Sequence, residues 1–307
     1  MGIEIKPFVK WAGGKGQLLK TLDSQLPRDF EQQESITYVE PFVGGGAMLF
    51  YMLTKYSNIK RAVICDVNKD LIQCYNLIKT SPYILIEKLR QLEQEYFSMS
   101  FDKDRRAYYL KKREIYNYEE LSGNDRAAYF IFLNRTCFNG LYRENGDGLF
   151  NVPIGSYKRP TICNEDNIIE IHNCLKKVDI YTGDYSVIMR HLGRKYNFVY
   201  LDPPYRPLFG SSNFNEYVKG GFGDSEQEKL KKFCDKLTIR GCKIMLSNSY
   251  STDENGNSYF DTLYKGYCID RVLAPRFINA FAESREKEIE LLIKNYDNVK
   301  MKLPIID

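Results

Sequence analysis

Two short clusters carry the residues best suited to chemistry: Glu40-Pro41-Phe42-Val43-Gly44-Gly45-Gly46 and Asp202-Pro203-Pro204-Tyr205. The first follows an apolar run, Ser35–Pro41, that reads as a short buried strand. It precedes a stretch from Met48 to Tyr56 that reads as a helix. Glycines at a strand-to-helix turn let backbone approach a ligand closely. Asp66 ends the next strand-like run, Arg61–Asp66, 20 residues after Gly46. An acid there accepts hydrogen bonds from ribose hydroxyls. A plain tight turn would explain the glycines alone, but with Asp66 so placed an adenosine-containing cofactor is the better reading. The Gly-Lys-Ser/Thr form of a phosphate-binding loop is absent, which disfavours ATP hydrolysis.

The second cluster closes the run Phe198–Asp202. The carboxyl edge of an open α/β sheet is where such folds hold ligands. Two prolines stiffen the turn, orienting a carboxylate and a carbonyl as acceptors, and Tyr205 adds a flat ring. Two acceptors beside an aromatic face suit an exocyclic amino group on a stacked base. The competing reading is an ordinary surface Asp-Pro-Pro turn.

The elements that must position these clusters alternate. Strands are expected at Ser35–Pro41, Arg61–Asp66, Val178–Thr182, Phe198–Asp202 and Lys243–Asn248. Helices are expected over Met48–Tyr56, from Lys69, after Asp184 and over Glu226–Ile239, with Gly266–Ala274 and Ile289–Tyr296 as a closing antiparallel pair. Such alternation predicts an α/β fold, a mostly parallel sheet with helices on both faces. Residues from about 82 to 158 break the rhythm. Pro82–Asn134 is mostly charged helix with periodic Leu, Tyr and Phe, and Asn145-Gly146-Asp147-Gly148 marks a turn between short apolar stretches. That reads as a β-hairpin on a helical insert. His172 and His191 lie in polar, helix-like stretches and are expected to be structural.

Composition narrows the classes. The chain has 307 residues, 43% hydrophobic and 27% charged, which excludes collagen-like and wholly disordered readings. No apolar run approaches a membrane span, and the N-terminus lacks a signal-peptide pattern, so a cytoplasmic protein is expected. Eight Cys form no C-x-x-C pair and there are two His, so neither a zinc module nor a His-based triad is expected. Net charge is +4, which permits a polyanionic partner without demanding one. Tyr (24) and Phe (18) against one Trp supply rings that fill a core or stack on bases.

In this order, the clusters resemble the Dam family of DNA adenine-N6 methyltransferases over nearly the whole chain. Lys10-Trp11-Ala12-Gly13-Gly14-Lys15 matches the family's N-terminal cofactor motif, Val39–Gly46 its glycine motif, and Asp66–Ile72 its acidic motif. The stretch from Phe132-Leu133-Asn134-Arg135 through Pro153–Lys158 matches its DNA-reading hairpin, Asp202–Tyr205 its catalytic motif, and Glu290–Tyr296 its terminal strand. The resemblance implies a Rossmann-like sheet that binds S-adenosyl-L-methionine and releases S-adenosyl-L-homocysteine, without a metal. It implies a catalytic domain from residues 1–81 and 159–307, and a target-recognition domain from 82–158.

By resemblance, Trp11, Lys15, Phe42, Gly44, Gly46, Asp66, Asp184 and Asp202 contact the cofactor, with Gly183-Asp184-Tyr185 near its adenine. Asp202, Pro203 and Tyr205 carry the chemistry on a flipped adenine. Lys10, Phe138, Asn139, Leu141, Arg143, Pro153, Tyr157 and Lys158 face double-stranded DNA, with Arg143 on a guanine edge and Phe138 as a wedge. Arg159 joins Tyr157 and Lys158 at phosphates. The Arg143-to-Pro153 spacing implies GATC as the target. The insert from 81 to 160 carries 13 basic and 11 acidic residues, so DNA affinity must rest on local placement. Pro275–Phe281 departs from the family's basic run; Arg285 is the expected remaining backbone contact. Residues 206–223 are expected to form a loop closing over the base. The expected assembly is a monomer or a weak dimer on DNA, with a separately acting restriction endonuclease as a further partner class. Methylation of an RNA base or a glutamine amide, and DNA binding without turnover, are the alternatives. No Pro-Cys pair is present for cytosine-C5 chemistry.

Overall fold

The computed structural model describes residues 5–206, 222–251, 258–274 and 288–297. In chain order the elements are α1 (Leu19–Ser24), β1 (Ile36–Glu40), α2 (Ala47–Lys55), β2 (Ile59–Asp66), α3 (Lys69–Thr80), α4 (Pro82–Ser98), α5 (Asp102–Tyr118) and α6 (Gly123–Thr136). After the insert come α7 (Glu165–Leu175), β3 (Val178–Thr182), β4 (Tyr196–Leu201), α8 (Asp224–Ile239), β5 (Lys243–Ser249), α9 (Tyr259–Leu263), β6 (Cys268–Ala274) and β7 (Glu288–Lys294).

Among the described residues the strands form one seven-stranded sheet of order β3-β2-β1-β4-β5-β7-β6. The first five strands are parallel, with Val39 opposite both Val63 and Val199. β7 enters antiparallel between β5 and β6, pairing Leu246 with Ile293 and Ile269 with Ile293. The chain order reverses between β1 and β4, which opens a crevice at their carboxyl ends. This is the expected α/β sheet, with the closing antiparallel pair in place.

Alternate residues of each strand feed two cores. Phe198 and Tyr200 of β4 face α2, α3 and α7, while Val199 and Leu201 face α8 and α9. Both faces are buried, which is why these strands read as near-continuous apolar runs. Side chains cap the helices that frame the site: Asn68 accepts from the Leu71 N–H at 2.8 Å at the start of α3, and Asn164 accepts from the Asn167 N–H at 3.2 Å at the start of α7. Gly46, at φ 78°, turns β1 into α2, and a side chain there would meet the Tyr75 hydroxyl at 2.4 Å.

The insert is three helices, α4 to α6, packed over α3, followed by a loop. The expected hairpin forms only as a loose loop with isolated bridges, Glu144 to Phe150 and Cys137 to Ile154. The outer edge of this loop is held by α5. Asn117 takes both backbone groups of Phe150, at 3.0 Å each, and the Val152 carbonyl accepts from the Tyr109 hydroxyl and Arg113. The limbs still bond to each other where the Asn145 N–H donates to the Leu149 carbonyl at 2.9 Å and the Asn151 N–H to the Arg143 carbonyl at 3.1 Å, while the helix side chains take the outward-facing backbone groups of Phe150 and Val152. The segment after Asp184 is likewise not an α-helix: Tyr185–Arg190 is a short 3-10 turn. His191 ends that turn, its ring stacked on Tyr181 at 3.8 Å, while His172 sits on α7 with Nδ1 3.1 Å from the Ile78 carbonyl.

The N-terminal arm is tied to the insert by Asn134, a buried residue near the end of α6. Its amide accepts from the Lys10 N–H at 2.8 Å and donates to the Lys10 carbonyl at 2.8 Å and the Gly140 carbonyl at 2.9 Å. Arg135 beside it donates to the Phe8 and Pro7 carbonyls at 3.0 Å. Asn134→Ala leaves three backbone groups without this partner. We expect it to cost about 2–4 kcal/mol by chemical denaturation. A loss below about 0.5 kcal/mol, the scale of an ordinary surface change, would contradict the clamp.

Candidate active site

The crevice between β1 and β4 collects the charged groups. Glu40 ends β1, Asp66 ends β2, Asp184 follows β3 and Asp202 follows β4, so four adjacent parallel strands each deliver a carboxylate to one edge. Lys15 comes to this edge from the N-terminal arm. Its ammonium lies 2.9 Å from Asp202 Oδ1 and 3.1 Å from Glu290 Oε1, and it donates to the Tyr205 hydroxyl. An ammonium has three protons to donate, and these three acceptors match them. The Tyr205 hydroxyl lies 2.7 Å from both oxygens of Glu290, and the Ser247 hydroxyl donates to Glu290 Oε1 at 2.8 Å.

Burial and charge set the protonation of this group. The Asp202 carboxyl is pushed up to about 6 by burial; Lys15 pulls it down, and Glu290 raises it further. Burial would lower the Lys15 ammonium, but Asp202 and Glu290 outweigh that and raise it. The Tyr205 phenol is driven up by burial, with both carboxylates adding to the effect, and so remains a hydrogen-bond donor. Glu40 is buried and its carboxyl is pushed well above its usual range by that burial, against the pull of the Tyr38 hydroxyl at 2.7 Å.

The glycine turn is built around Trp11. A Cβ on Gly44, at φ 48°, would stand 2.7 Å from the indole Cδ1, and one on Gly45 would stand 3.1 Å from the Trp11 Cβ. The Gly44 N–H donates to Asp66 Oδ2 at 3.0 Å, and the Asn68 N–H to Oδ1 at 2.9 Å. Burial raises the Asp66 carboxyl while these backbone donors lower it. Trp11 also stacks on Tyr142 of the insert loop, with centroids 5.7 Å apart and planes at 21°. Phe42 packs between Tyr185 at 5.4 Å and Phe222 at 6.0 Å. Just beyond the Asp-Pro-Pro-Tyr turn, buried Arg206 pairs with Asp224 at 2.5 and 3.0 Å and lies 4.1 Å over the Tyr259 ring.

The structure thus brings Trp11, Lys15, Phe42, Gly44, Gly46, Asp66, Asp184, Asp202, Pro203 and Tyr205 to one edge of the sheet. The expected DNA-facing residues lie apart, on the arm and the insert loop. Phe138 is 49% exposed, Asn139 is exposed at φ 52°, and Pro153 and Lys158 are exposed. Leu141 packs half-buried against the core, and Arg143 is half-buried with its Nε bonded to Asn151 Oδ1 at 2.7 Å. Lys10 holds its ammonium 3.6 Å over the Tyr157 ring. Most of the expected closing loop, residues 207–221, and the stretch carrying Pro275–Phe281 and Arg285 lie outside the described residues.

Sequence reading missed Asn134 and Glu290 as individual residues. The available signal was a polar residue closing the apolar run Ala127–Leu133 and a lone acid within the run Ile289–Ile293. Among the described residues no group of three or more His, Cys, Asp or Glu is placed to hold a metal, and no helix is long and apolar enough to cross a membrane.

Comparison with known proteins gives the arrangement its context. The family model for D12 class N6 adenine-specific DNA methyltransferases matches residues 11–276. The type II methyltransferase M.MjaIII of Methanocaldococcus jannaschii is 45% identical, covering 96% of this chain and 100% of its own length. The type II methyltransferase M1.LlaDCHI of Lactococcus lactis is 35% identical over 96% of this chain and 97% of its own. A DNA adenine methylase of Vibrio cholerae is 32% identical over 94% and 95%. With both sequence clusters brought to one sheet edge and these matches running almost end to end, the chain belongs to the D12 class of N6 adenine-specific DNA methyltransferases, enzymes of the Dam type.

Proposed function

We propose that this adenine methyltransferase acts on GATC in duplex DNA, turning the adenine out of the stack into the crevice beside Asp202. The observation that carries this reading is the buried Lys15–Asp202–Tyr205–Glu290 group at the point where the sheet order reverses. Residues 82–158 act as the target-recognition domain and the rest as the cofactor-binding domain, in keeping with the loop from 138 to 155 being bonded to α5 through Tyr109, Arg113 and Asn117. Phe138, Asn139, Leu141, Arg143 and Pro153 serve the base edges, with Lys10, Tyr157 and Lys158 beside them. In this reading Arg143, whose Nε donates to Asn151 Oδ1 at 2.7 Å, makes the guanine contact.

Use of S-adenosylmethionine follows from the family, and the residues present suit it. The Gly44–Gly45 turn lets the Trp11 side chain lie directly on its backbone, since a Cβ at either glycine would meet that side chain, and so sets an aromatic ring beside the turn. Asp66 retains lone pairs for ribose hydroxyls at the end of β2. The carboxylates of Asp66, Asp184 and Asp202 along this edge favour a cationic ligand. Trp11, Lys15, Phe42, Gly44, Gly46, Asp66, Asp184 and Asp202 would hold the cofactor, which supplies an electrophilic methyl group on a sulfonium.

Asp202 and the Pro203 carbonyl act on the amine. The adenine N6 lone pair is delocalised into the ring and is a poor nucleophile. Accepting hydrogen bonds from the amine pulls electron density onto nitrogen as it becomes tetrahedral, and that stabilisation grows toward the transition state. Tyr205 stacks on the base and fixes the angle of approach, where orientation supplies much of the rate. The turn needs no covalent intermediate with the protein.

Transfer of labelled methyl to paired duplexes carrying one GATC or one GTTC, at fixed salt, tests the target. We expect label only in GATC, recovered as N6-methyladenine; equal label in both contradicts the site assignment, and label in neither contradicts the whole reading. Asp202 must be ionised to accept from the amine, so kcat/KM for DNA is expected to fall as pH drops through about 6. A flat profile down to about pH 4.5 would contradict that role. Asp202→Ala is expected to lower single-turnover methylation by about 10²–10³-fold while DNA binding persists. Gly44→Ala is expected to weaken S-adenosylhomocysteine binding about tenfold or more, or about 1.4 kcal/mol, by fluorescence titration of Trp11; unchanged affinity would remove Gly44 from the cofactor site.

A further inference from the structure

Glu290 stands among buried apolar neighbours. Leu291, Leu292 and Ile293 beside it on β7 are all buried, and Glu290 itself is 6% exposed. Its backbone pairs with β5 opposite Ser249, a role any residue fills. A carboxylate taken from water costs free energy unless its partners replace the lost hydration. All of its side-chain partners described here belong to or adjoin the catalytic group: the Tyr205 hydroxyl at 2.7 Å, the Ser247 hydroxyl at 2.8 Å and the Lys15 ammonium at 3.1 Å. The carboxylate thus joins β7, β5, the turn after β4 and the N-terminal arm at one point.

We infer that Glu290 is a positioning residue for methyl transfer, fixing the Tyr205 ring through its hydroxyl and holding Lys15 where it is shared with Asp202. The inference rests on the reading of Asp202 and Tyr205 as the catalytic pair. Two consequences separate it from a purely structural role. The Tyr205 ring is anchored at its hydroxyl end, so its face is presented at a fixed angle. Lys15 divides its charge between two carboxylates, so Asp202 is less fully neutralised by it and remains a better acceptor for the amine. The titratable groups facing Asp202 are Lys15 from the arm, Glu290 from β7, Glu40 and Tyr38 from β1, and Tyr200 and Tyr205 from β4 and the turn beyond it. Among the acids, Glu290 alone shares Lys15 with Asp202 in the contacts described.

The test is Glu290→Gln in the full-length enzyme, with Asp202→Ala alongside. Single-turnover methylation of a duplex carrying one unmethylated target site is expected to fall about 10–100-fold. The acid limb of kcat/KM is expected to move to lower pH, since Lys15 is then left to Asp202 and the Glu290 charge no longer raises it. Glu290→Asp, which keeps the charge, is expected to hold the limb in place. A parental rate in Glu290→Gln overturns the inference. A slower rate with an unmoved limb overturns it as well, because a packing defect alone produces that pattern. Should Glu290→Gln not fold, Tyr205→Phe decides: it removes only the hydroxyl through which Glu290 holds the ring, so kcat is expected to fall about tenfold with KM for DNA unchanged, whereas a parental kcat, or a loss confined to KM, overturns the inference. Full turnover in Asp202→Ala would instead overturn the catalytic reading beneath it, whatever Glu290→Gln does.

Discussion

A single buried ammonium, that of Lys15, is the constraint on which the site depends. It is 7% exposed and surrounded by three acceptors from two distant parts of the chain, the turn after β4 and β7. Without it, Asp202 and Glu290 would be two like charges buried side by side, and one of them would take up a proton. With it, the group carries one positive charge against two negative ones, and its geometry is set by the three protons of the ammonium. Burial of the ion group is unfavourable by itself and is offset only while every partner stays in place. The rest of the fold can be understood as what keeps them there.

The sheet does most of that work. Because β4 lies beside β1 and β7 beside β5, Asp202 and Glu290 reach the same crevice from strands on either side of β5. Lys15 has no strand to hold it. Its arm is anchored instead to the insert, through Asn134 to Lys10 and through Arg135 to Pro7 and Phe8. Trp11, on the same arm, lies against Gly44 on one side and Tyr142 on the other. The segment that supplies the site's cation is therefore bonded to the loop expected to read DNA. A shift of that loop has a short physical route to Lys15, through packed rings and three hydrogen bonds.

Much of this was legible in the sequence where the determinants are local. Val178–Thr182 is recovered residue for residue, and the other expected strands fall within a few residues of their observed ends, because each is an apolar run closed by turn residues. The two chemical clusters fall where strand ends meet turns, so their placement followed from the strands. Long-range determinants were not legible. Asn134 bonds to Lys10 across 124 positions, and Glu290 to Tyr205 across 85; neither leaves a periodic trace. The loop at 138–155 looked like a hairpin because its turn residues are right; its limbs do pair at two isolated bridges, but Asn117, far back on α5, holds its outer edge at Phe150, and no spacing in the sequence announces that contact. Helix α7 carried a readable signal, an Asn164 cap before EDNIIEIHNCL, of which sequence reading noted only a helix-like stretch around His172.

The shared ammonium makes a direct claim about one atom group, and that claim can be measured without turnover. Carbon-13 NMR of carboxyl-labelled aspartate, with Asp202 assigned by its absence in Asp202→Asn, follows the titration of the carboxyl in the folded enzyme. Burial beside Glu290, only partly offset by Lys15, predicts a midpoint of about 6. A midpoint in the ordinary aspartate range near about 4 would mean that Asp202 is solvated or fully neutralised, and would contradict the buried, shared ion group at the centre of this account.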